Sequence, residues 1–575
     1  IAFQMGRCCY CSFGWGSLII GLLLLMGGLV VQLIVMPPVY IDAMNDVKVL
    51  GLNSDGTPND FTAAWVTPAY IANTEFYMFD YANTGGIMNR GSYPDMDERG
   101  PYSYKTAITN EVVSWGSDGE TVNYYQRFVY YFDPEKSCKG CNPKVDKVKI
   151  PDIIYQLIVN VLPTKAICKH PEKGSLDETI CNMVADTDLL DSIEKGGILF
   201  SLLNIEPFIY VTVDELLFSG YTTPIVESLK EADLFAFTFL NDKPEIQETL
   251  QNLTEALGSV PINYIQNNNT LDFYYTANTG KSDPAKTGFV TGFTGTGGYP
   301  SSEDGKLPLK WWDAKTDDHF CPAYFADKAR KIDGTIGDFF QSFITKDSEL
   351  PIYISDICRT VTLTYGSDIN VKGVDGYRFT FGDDVFNSLE PDNCGYCKTL
   401  PRDFHSLPEG YRCLPSGYLD LSGCMSIPIP DYGDLALPIV ASLPHFYQTD
   451  GETKFAPRFK PNDDDAPTLD IEPFSGTLLK AQKKMQINMY IGQSRHSAFN
   501  SLKVQRSGAY PLFYLNQTAL IDQNDLNILS SSTAAMNSTI PAICWSAVGV
   551  GAALIVLSII FFCCSCSGKK DKKDD

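Results

Sequence analysis

Histidine is scarce in this chain: 575 residues hold five, His170, His319, His405, His445 and His496. A histidine-based general base or metal centre therefore has few places to form. The G-x-S-x-G nucleophile turn, the H-E-x-x-H zinc helix and the Walker A phosphate loop are all missing. The sequence offers no catalytic residue, no metal ligand set and no cofactor, and reads as a protein that is not an enzyme. His445, inside Ser442-Leu443-Pro444-His445-Phe446, reads as a strand histidine satisfied by hydrogen bonds rather than as a base. Asp463-Asp464-Asp465 lacks the further carboxylates and the glycine of an EF-hand loop, and reads as a solvated acidic turn.

Basic runs are missing outside the C-terminal tail. The chain carries a formal −24, and its two ends contribute +1 each, from Arg7 and from four Lys against three Asp after Gly568, which leaves −26 between them. So acidic a surface repels nucleic acid and anionic headgroups. No internal repeat occurs, nor a Pro/Ser linker that would split the chain into independent domains.

Two segments, 13–36 and 543–562, contain no Lys, Arg, Asp or Glu. Each is about the 20 residues a helix needs to cross a bilayer. The first is longer than a signal-peptide core and lacks a small-residue cleavage site, so it is expected to remain as an anchor. Positive charge stays on the cytosolic side, and Arg7 precedes the first segment while Lys569, Lys570, Lys572 and Lys573 follow the second. The expected order is a cytosolic tail (1–12), a span (13–36), an extracellular or luminal domain (37–542), a second span (543–562) and a second cytosolic tail (563–575). A two-pass protein of the cell membrane results, with the lysosomal or endoplasmic reticulum membrane as the alternative. The Lys572-Lys573 pair fits a stop-transfer flank as well as a retrieval signal. A two-span channel is disfavoured, because only Gln32 and scattered serines would line its pore.

Seventeen cysteines divide by compartment. Cys8, Cys9, Cys11, Cys563, Cys564 and Cys566 flank the spans on the reducing side and are expected to carry palmitate. Cys544 sits at the membrane boundary, unmatched. The other ten are external, an even count that argues for disulfides. Cys138-Lys139-Gly140-Cys141 has redox-motif spacing but lies in a turn-rich stretch; it either closes a hairpin or pairs with Cys168 and Cys181. Sequons at Asn252, Asn268, Asn516 and Asn537 all fall on the external side and are expected to be glycosylated.

Short aromatic-rich alternating runs from Tyr40 to Tyr131 read as strands. From Ile150 to Phe218 the period becomes helical, as in Ile153, Ile154, Leu157, Ile158 and Val161, which reads as a helical insertion; beyond about Thr222 strands return. An α+β ectodomain between two membrane helices is expected.

Several strings then coincide. Glu98-Arg99-Gly100-Pro101-Tyr102-Ser103-Tyr104 resembles an E.GPY.Y signature, and Thr212-Val213-Asp214-Glu215-Leu216-Leu217-Phe218 a T..ELLWGY.DP segment. Trp311-Trp312-Asp313, Asp356-Ile357-Cys358-Arg359, Pro391-Asp392-Asn393-Cys394, Leu419-Asp420-Leu421-Ser422-Gly423-Cys424, Leu443-Pro444-His445-Phe446 and Leu469-Asp470-Ile471-Glu472-Pro473-Phe474-Ser475-Gly476 follow in order, then Gln486-Ile487-Asn488. Taken together they resemble the class B scavenger receptor family, of the fatty acid translocase, high-density-lipoprotein receptor and lysosomal integral membrane protein type, over the whole chain.

The resemblance implies an antiparallel β-barrel-like core, an apical helical bundle (150–218) and a hydrophobic tunnel toward the membrane. It implies binding of lipids, fatty acids or lipoproteins at the apex, and passage of fatty acid, sterol or phospholipid to the bilayer. The alternative is a lysosomal or endosomal receptor that uses the same lobe for adhesion or a protein cargo. It also implies the disulfides Cys321–Cys394, Cys358–Cys424 and Cys397–Cys413. Ligand contacts are expected at Ile153, Leu157, Lys165, Lys195, Leu199 and Leu203. The sequence departs from the family in having no lysine from Gly196 to Val211, with Lys195, Lys165, Lys169 and Lys173 nearest.

Overall fold

A computed structural model describes residues 2–153, 155–156, 206–224, 264–265, 268–269, 271–295, 301–308, 322–396, 414–449, 460–491, 506 and 508–566, apart from 69, 383, 388–389, 422–423, 430–432 and 535–537. The chain enters along helix α1 (Ala2–Val30), which runs through one widened turn (Val31–Val35) into α2 (Met36–Val47). Pro37 and Pro38 do not end it. They directly follow the widened turn, in which Met36 N donates five residues back to Val31 O, so the regular ladder is already interrupted where their N–H groups are missing. The expected strand pattern beginning at Tyr40 is therefore corrected: Tyr40 to Val47 is helix, as are α3 (Asp60–Val66) and α4 (Thr84–Arg90).

Strands β1 (Ala72–Tyr81), β2 (Met96–Trp115) and β3 (Thr121–Phe132) form an antiparallel meander. The short β4 (Lys147–Pro151) and β5 (Phe208–Thr212) pair with each other, Ile150 opposite Ile209. The ends of the expected helical insertion are thus a two-stranded neck, with β-branched Val148, Ile150, Ile209 and Val211 buried in it. Most of the remaining insertion lies outside the described residues.

After the neck come β6 (Leu271–Asn278), β7 (Val290–Thr294), helix α5 (Ala323–Arg330), β8 (Leu350–Ile354), β9 (Arg359–Val371) and β10 (Val374–Phe381). The small strands β11 (Leu419–Asp420), β12 (Ser426–Ile429), β13 (Gly433–Ala436) and β14 (Ile439–Ser442) precede the long β15 (Thr468–Glu472), β16 (Thr477–Ile491) and β17 (Gly508–Leu520). Helix α6 (Gln523–Ala534) then leads to α7 (Ile540–Cys566), so the final stretch before the second span is helical rather than strand.

The main sheet has 13 strands, eleven of them in the order β7-β6-β3-β2-β1-β17-β16-β15-β10-β9-β8, with β14 alongside β16 and β11 paired to β14. Its pairs are antiparallel. So long a twisted sheet curls, and here its two edges are brought within one hydrogen bond of a shared segment. Val290 N of β7 donates to Gly334 O at 2.9 Å, and Tyr353 N of β8 donates to Thr335 O at 2.8 Å. Gly334 has φ +85°, and a Cβ there would come within 2.0 Å of Pro351 O, so only glycine lets the segment lie this close to β8. Across the seam the rings of Phe293 and Tyr353 are 5.3 Å apart, and the Tyr275 hydroxyl donates to Ser355 Oγ at 3.0 Å.

Helices α1 and α7 are long and apolar enough to cross a membrane. They pack side by side and antiparallel: Trp15 meets Phe562 at a ring distance of 5.3 Å, Gly21 lies against Gly551, and Gly28 against Cys544 and Val548. Small residues let the two backbones approach where no hydrophobic drive exists between helices. The antiparallel arrangement puts both tails on one side and the sheet on the other.

Candidate functional site

The curled sheet encloses a cavity of about 320 Å³, within the usual size range of small-molecule sites. Its walls follow from strand alternation, since residues two apart share a face. Ala72, Thr74 and Phe76 come from β1, Ile108 and Asn110 from β2, Gln126, Phe128 and Tyr130 from β3, and Phe273 and Tyr275 from β6. From the opposite side come Leu363 of β9, Phe381 of β10, Leu469 of β15, Leu478 and Ala481 of β16, and Leu515, Gln517 and Ala519 of β17.

Most polar lining groups are already engaged with one another. Thr74 and Thr106 share a 2.7 Å hydrogen bond between hydroxyls, and Gln517 Nε2 donates to Thr74 Oγ1 at 3.0 Å. Asn110 Nδ2 donates to Trp65 O at 2.9 Å, and Gln126 Nε2 to Asn110 Oδ1 at 3.2 Å. Lys483 is held by Asp356. What they leave facing the space is largely aromatic and aliphatic surface, suited to a hydrocarbon.

One carboxyl stands apart. Asp338, four residues past Gly334 on the seam segment, lines the cavity; its Oδ2 accepts from Trp65 Nε1 at 2.8 Å, while Oδ1 is buried with no hydrogen bond. Burial pushes its pKa up to about 6, against the pull of the Trp65 indole and of the nearby amides of Asp338 and Phe339.

Of the residues expected to meet ligand, Ile153 alone falls among the described residues. Ile153, just past β4 of the β4–β5 neck, is buried in the hydrophobic core and is not part of this cavity's wall. Leu157, Lys165, Lys195, Leu199 and Leu203 lie outside the described residues. Reading the sequence missed Asp338, whose only signal was a carboxylate set among Ile336, Gly337, Phe339 and Phe340.

Cys358 and Cys424 are joined by a disulfide with Cα atoms 5.8 Å apart. Cys394 is disulfide-bonded, while Cys321, Cys397 and Cys413 lie outside the described residues. Cys138 bonds to Cys141 with Cα atoms 5.4 Å apart, across a turn in which Gly140 has φ +82°. It therefore closes a local turn and does not staple the insertion; Cys168 and Cys181 lie outside the described residues. Cys8, Cys9, Cys11, Cys564 and Cys566 fall at the outer ends of α1 and α7, with Cys563 exposed beside them. Among the sequons, Asn268 is exposed in a turn, with Oδ1 accepting from Tyr130 N at 3.0 Å, and Asn516 is half-buried inside β17. Asn252 and Asn537 lie outside the described residues.

Two other expectations change. His445 is not in a strand: its φ is +54°, and its ring bridges Asp465 and Glu98. Asp463 to Asp465 form one helical turn capped by Asn462, and Asp465 is buried rather than solvated, because it accepts from His445 and from Asn462 N.

Two packed apolar helices, with a cavity-bearing near-barrel between them in sequence, define a two-pass membrane protein with one large domain outside the bilayer. The chain belongs to the CD36 family, whose model matches residues 19–562. It is 39% identical to the uncharacterized protein C03F11.3 of Caenorhabditis elegans, over 97% of this chain and 98% of that one. It is 27% identical to human lysosome membrane protein 2, over 98% and 96% of the two chains, and 21% identical to sensory neuron membrane protein 2 of Anopheles gambiae, over 97% and 94%.

Proposed function

We propose that this protein is a scavenger-receptor-like membrane glycoprotein that binds lipid or lipoprotein on its outer domain and passes fatty acid, sterol or phospholipid through the near-barrel toward the bilayer. The observation that carries the reading is the apolar cavity enclosed by the sheet. An acyl chain moved through such a space avoids water contact worth about 0.8 kcal/mol per CH₂, and no covalent step is needed. Family membership supports the same reading. Leu157, Lys165, Lys195, Leu199 and Leu203 are proposed as places of first contact. The cell membrane is the proposed location, with both tails cytosolic. The likeness to lysosome membrane protein 2 favours the lysosomal membrane as the alternative, which staining against organelle markers decides.

The test is saturable binding of a fluorescent long-chain lipid to the full chain in detergent, repeated with Ala519→Trp. Ala519 faces the cavity opposite Ala481 in the β16–β17 pair, so the indole fills the space. Saturable binding that the substitution abolishes supports the reading; binding unchanged by the plug moves the lipid elsewhere.

A further inference from the structure

The first span fixes where the bilayer surface lies. Trp15 and Tyr40 are about 25 residues apart along one continuous helical path, roughly 37 Å at 1.5 Å per residue. That is more than the roughly 30 Å hydrocarbon core and less than the roughly 40–45 Å that includes both headgroup layers. Each ring therefore stands in a headgroup layer, where aromatic side chains collect. Asp42, exposed and the first charge after Arg7, lies just beyond Tyr40 on the domain side.

Tyr40 carries this level into the domain. Its ring meets that of Phe474, in the β15–β16 turn, at 5.9 Å, and Phe474 meets Phe343 at 4.8 Å. Phe343 N donates to Phe474 O at 3.0 Å and Ile344 N to Pro473 O at 2.8 Å, while Lys48 Nζ, just past α2, donates to Phe340 O at 2.8 Å. These bonds hold Phe343 at φ +61°, a left-handed conformation that a bulky side chain rarely adopts. Ile344 packs into the core, and Phe343 is left at the surface, 36% exposed.

Helix α6 makes a second part of the same base. Leu526 is buried against Val374 and Leu479, with Leu529 beside it, which fixes the face turned to the sheet. Ile528 lies about 200° round the helix from Leu526 and is 64% exposed. The sheet is on one side of α6 and α7 enters the bilayer a few residues further on, so the face opposite the sheet is turned to the leaflet. Charges set the depth: Lys346 pairs with Asp368 at 2.8 Å, and Asp525 is exposed in the first turn of α6, so neither segment can sink into hydrocarbon.

We propose that Phe343 and Ile528 seat the base of the outer domain in the headgroup layer of the leaflet it faces, with phospholipid as their partner. Their exposed apolar surface continues the lipid-facing surface of the spans, and a lipid interface removes it from water. Two points of contact beside the spans hold the near-barrel at a fixed height and tilt over the leaflet. The inference is independent of whether the cavity carries lipid.

The test uses the full chain in phosphatidylcholine nanodiscs doped with a phosphatidylcholine whose photoreactive diazirine sits at the head of one acyl chain, with labelled peptides mapped by mass spectrometry. Wild type is expected to carry label on the segments holding Phe343 and Ile528 as well as on α1 and α7. Phe343→Ser and Ile528→Ser should each lose the label of their own segment and keep that of the spans, whereas Phe343→Leu, still apolar, should retain it. Label confined to the spans in wild type overturns the seat, as does base label unchanged by both serine variants. Base label that vanishes in Ala519→Trp overturns it too, because that lipid came from the cavity. Melting temperatures of the variants separate a lost seat from a lost fold.

Discussion

The Nε2 of His445 lies 3.2 Å from Oε2 of Glu98, a residue 347 positions away, so two of the recognisable sequence strings meet in space. On its other side Nδ1 is 2.9 Å from Asp465 Oδ1, and Glu98 Oε1 accepts from the Tyr514 hydroxyl at 2.7 Å. Burial works to lower the pKa of His445, but the hydrogen bonds and charges of Asp465 and Glu98 overcome it and push the value up to about 9. The imidazolium ties β2 to the turn before β15.

A proton held more tightly in the folded state stabilises it only while the unfolded state would release that proton. An unfolded histidine has a pKa of about 6.5. The contribution is fully present below that value and is lost as pH rises through about 9. Melting temperatures of the full chain from pH 6 to 9.5 should therefore fall more steeply for wild type than for His445→Asn. Parallel profiles for the two proteins would remove the charged bridge from the account.

Closure of the barrel depends on Gly334. A Cβ there would come within 2.0 Å of Pro351 O and would also hold φ at +85°, whereas a Cβ at Gly337, φ +95°, comes no nearer than 3.9 Å to Ile352. Gly334→Ala is expected to cost about 2–4 kcal/mol, from left-handed strain plus displaced backbone. Gly337→Ala should cost only the strain, about 1–2 kcal/mol. Denaturant titration of both variants checks this; equal losses would mean that the seam tolerates an added side chain.

The sequence made the two spans legible because charge is absent from them over a bilayer's length, and it made the strands legible wherever aromatic and β-branched residues alternate, as in β1 and β3. It did not mark Tyr40–Val47 as helix, because Pro37 and Pro38 look like a stop when read locally, and the widened turn that lets the helix continue past them has no local sequence signature. The β4–β5 neck was hidden for a different reason: five-residue strands are too short for their period to be told from a helical one. Charge states were the least visible. His445 and Asp338 acquire their properties from partners far away in sequence, Glu98 and Trp65, and no local pattern announces either contact.

Glycosylation should separate the two described sequons. Asn268 is exposed in a turn and reachable by a transferase, whereas Asn516 is set between β1 and β16, with its amide donating to Glu75 Oε2 at 3.2 Å. Asn268→Gln is expected to shift the protein to lower mass by one glycan and Asn516→Gln to leave it unchanged. Glycopeptide mass spectrometry on protein from secretory cells reads both sites, and full occupancy of Asn516 would contradict the expectation.

The most direct measurement is mass spectrometry of the lipids that co-purify with the full chain from cell membranes, wild type beside Ala519→Trp. The cavity reading predicts about one tightly held lipid per folded wild-type protein and its loss from the plugged variant. Wild type that carries an intact Cys358–Cys424 bond but no more retained lipid than the plugged variant would contradict a lipid-carrying cavity.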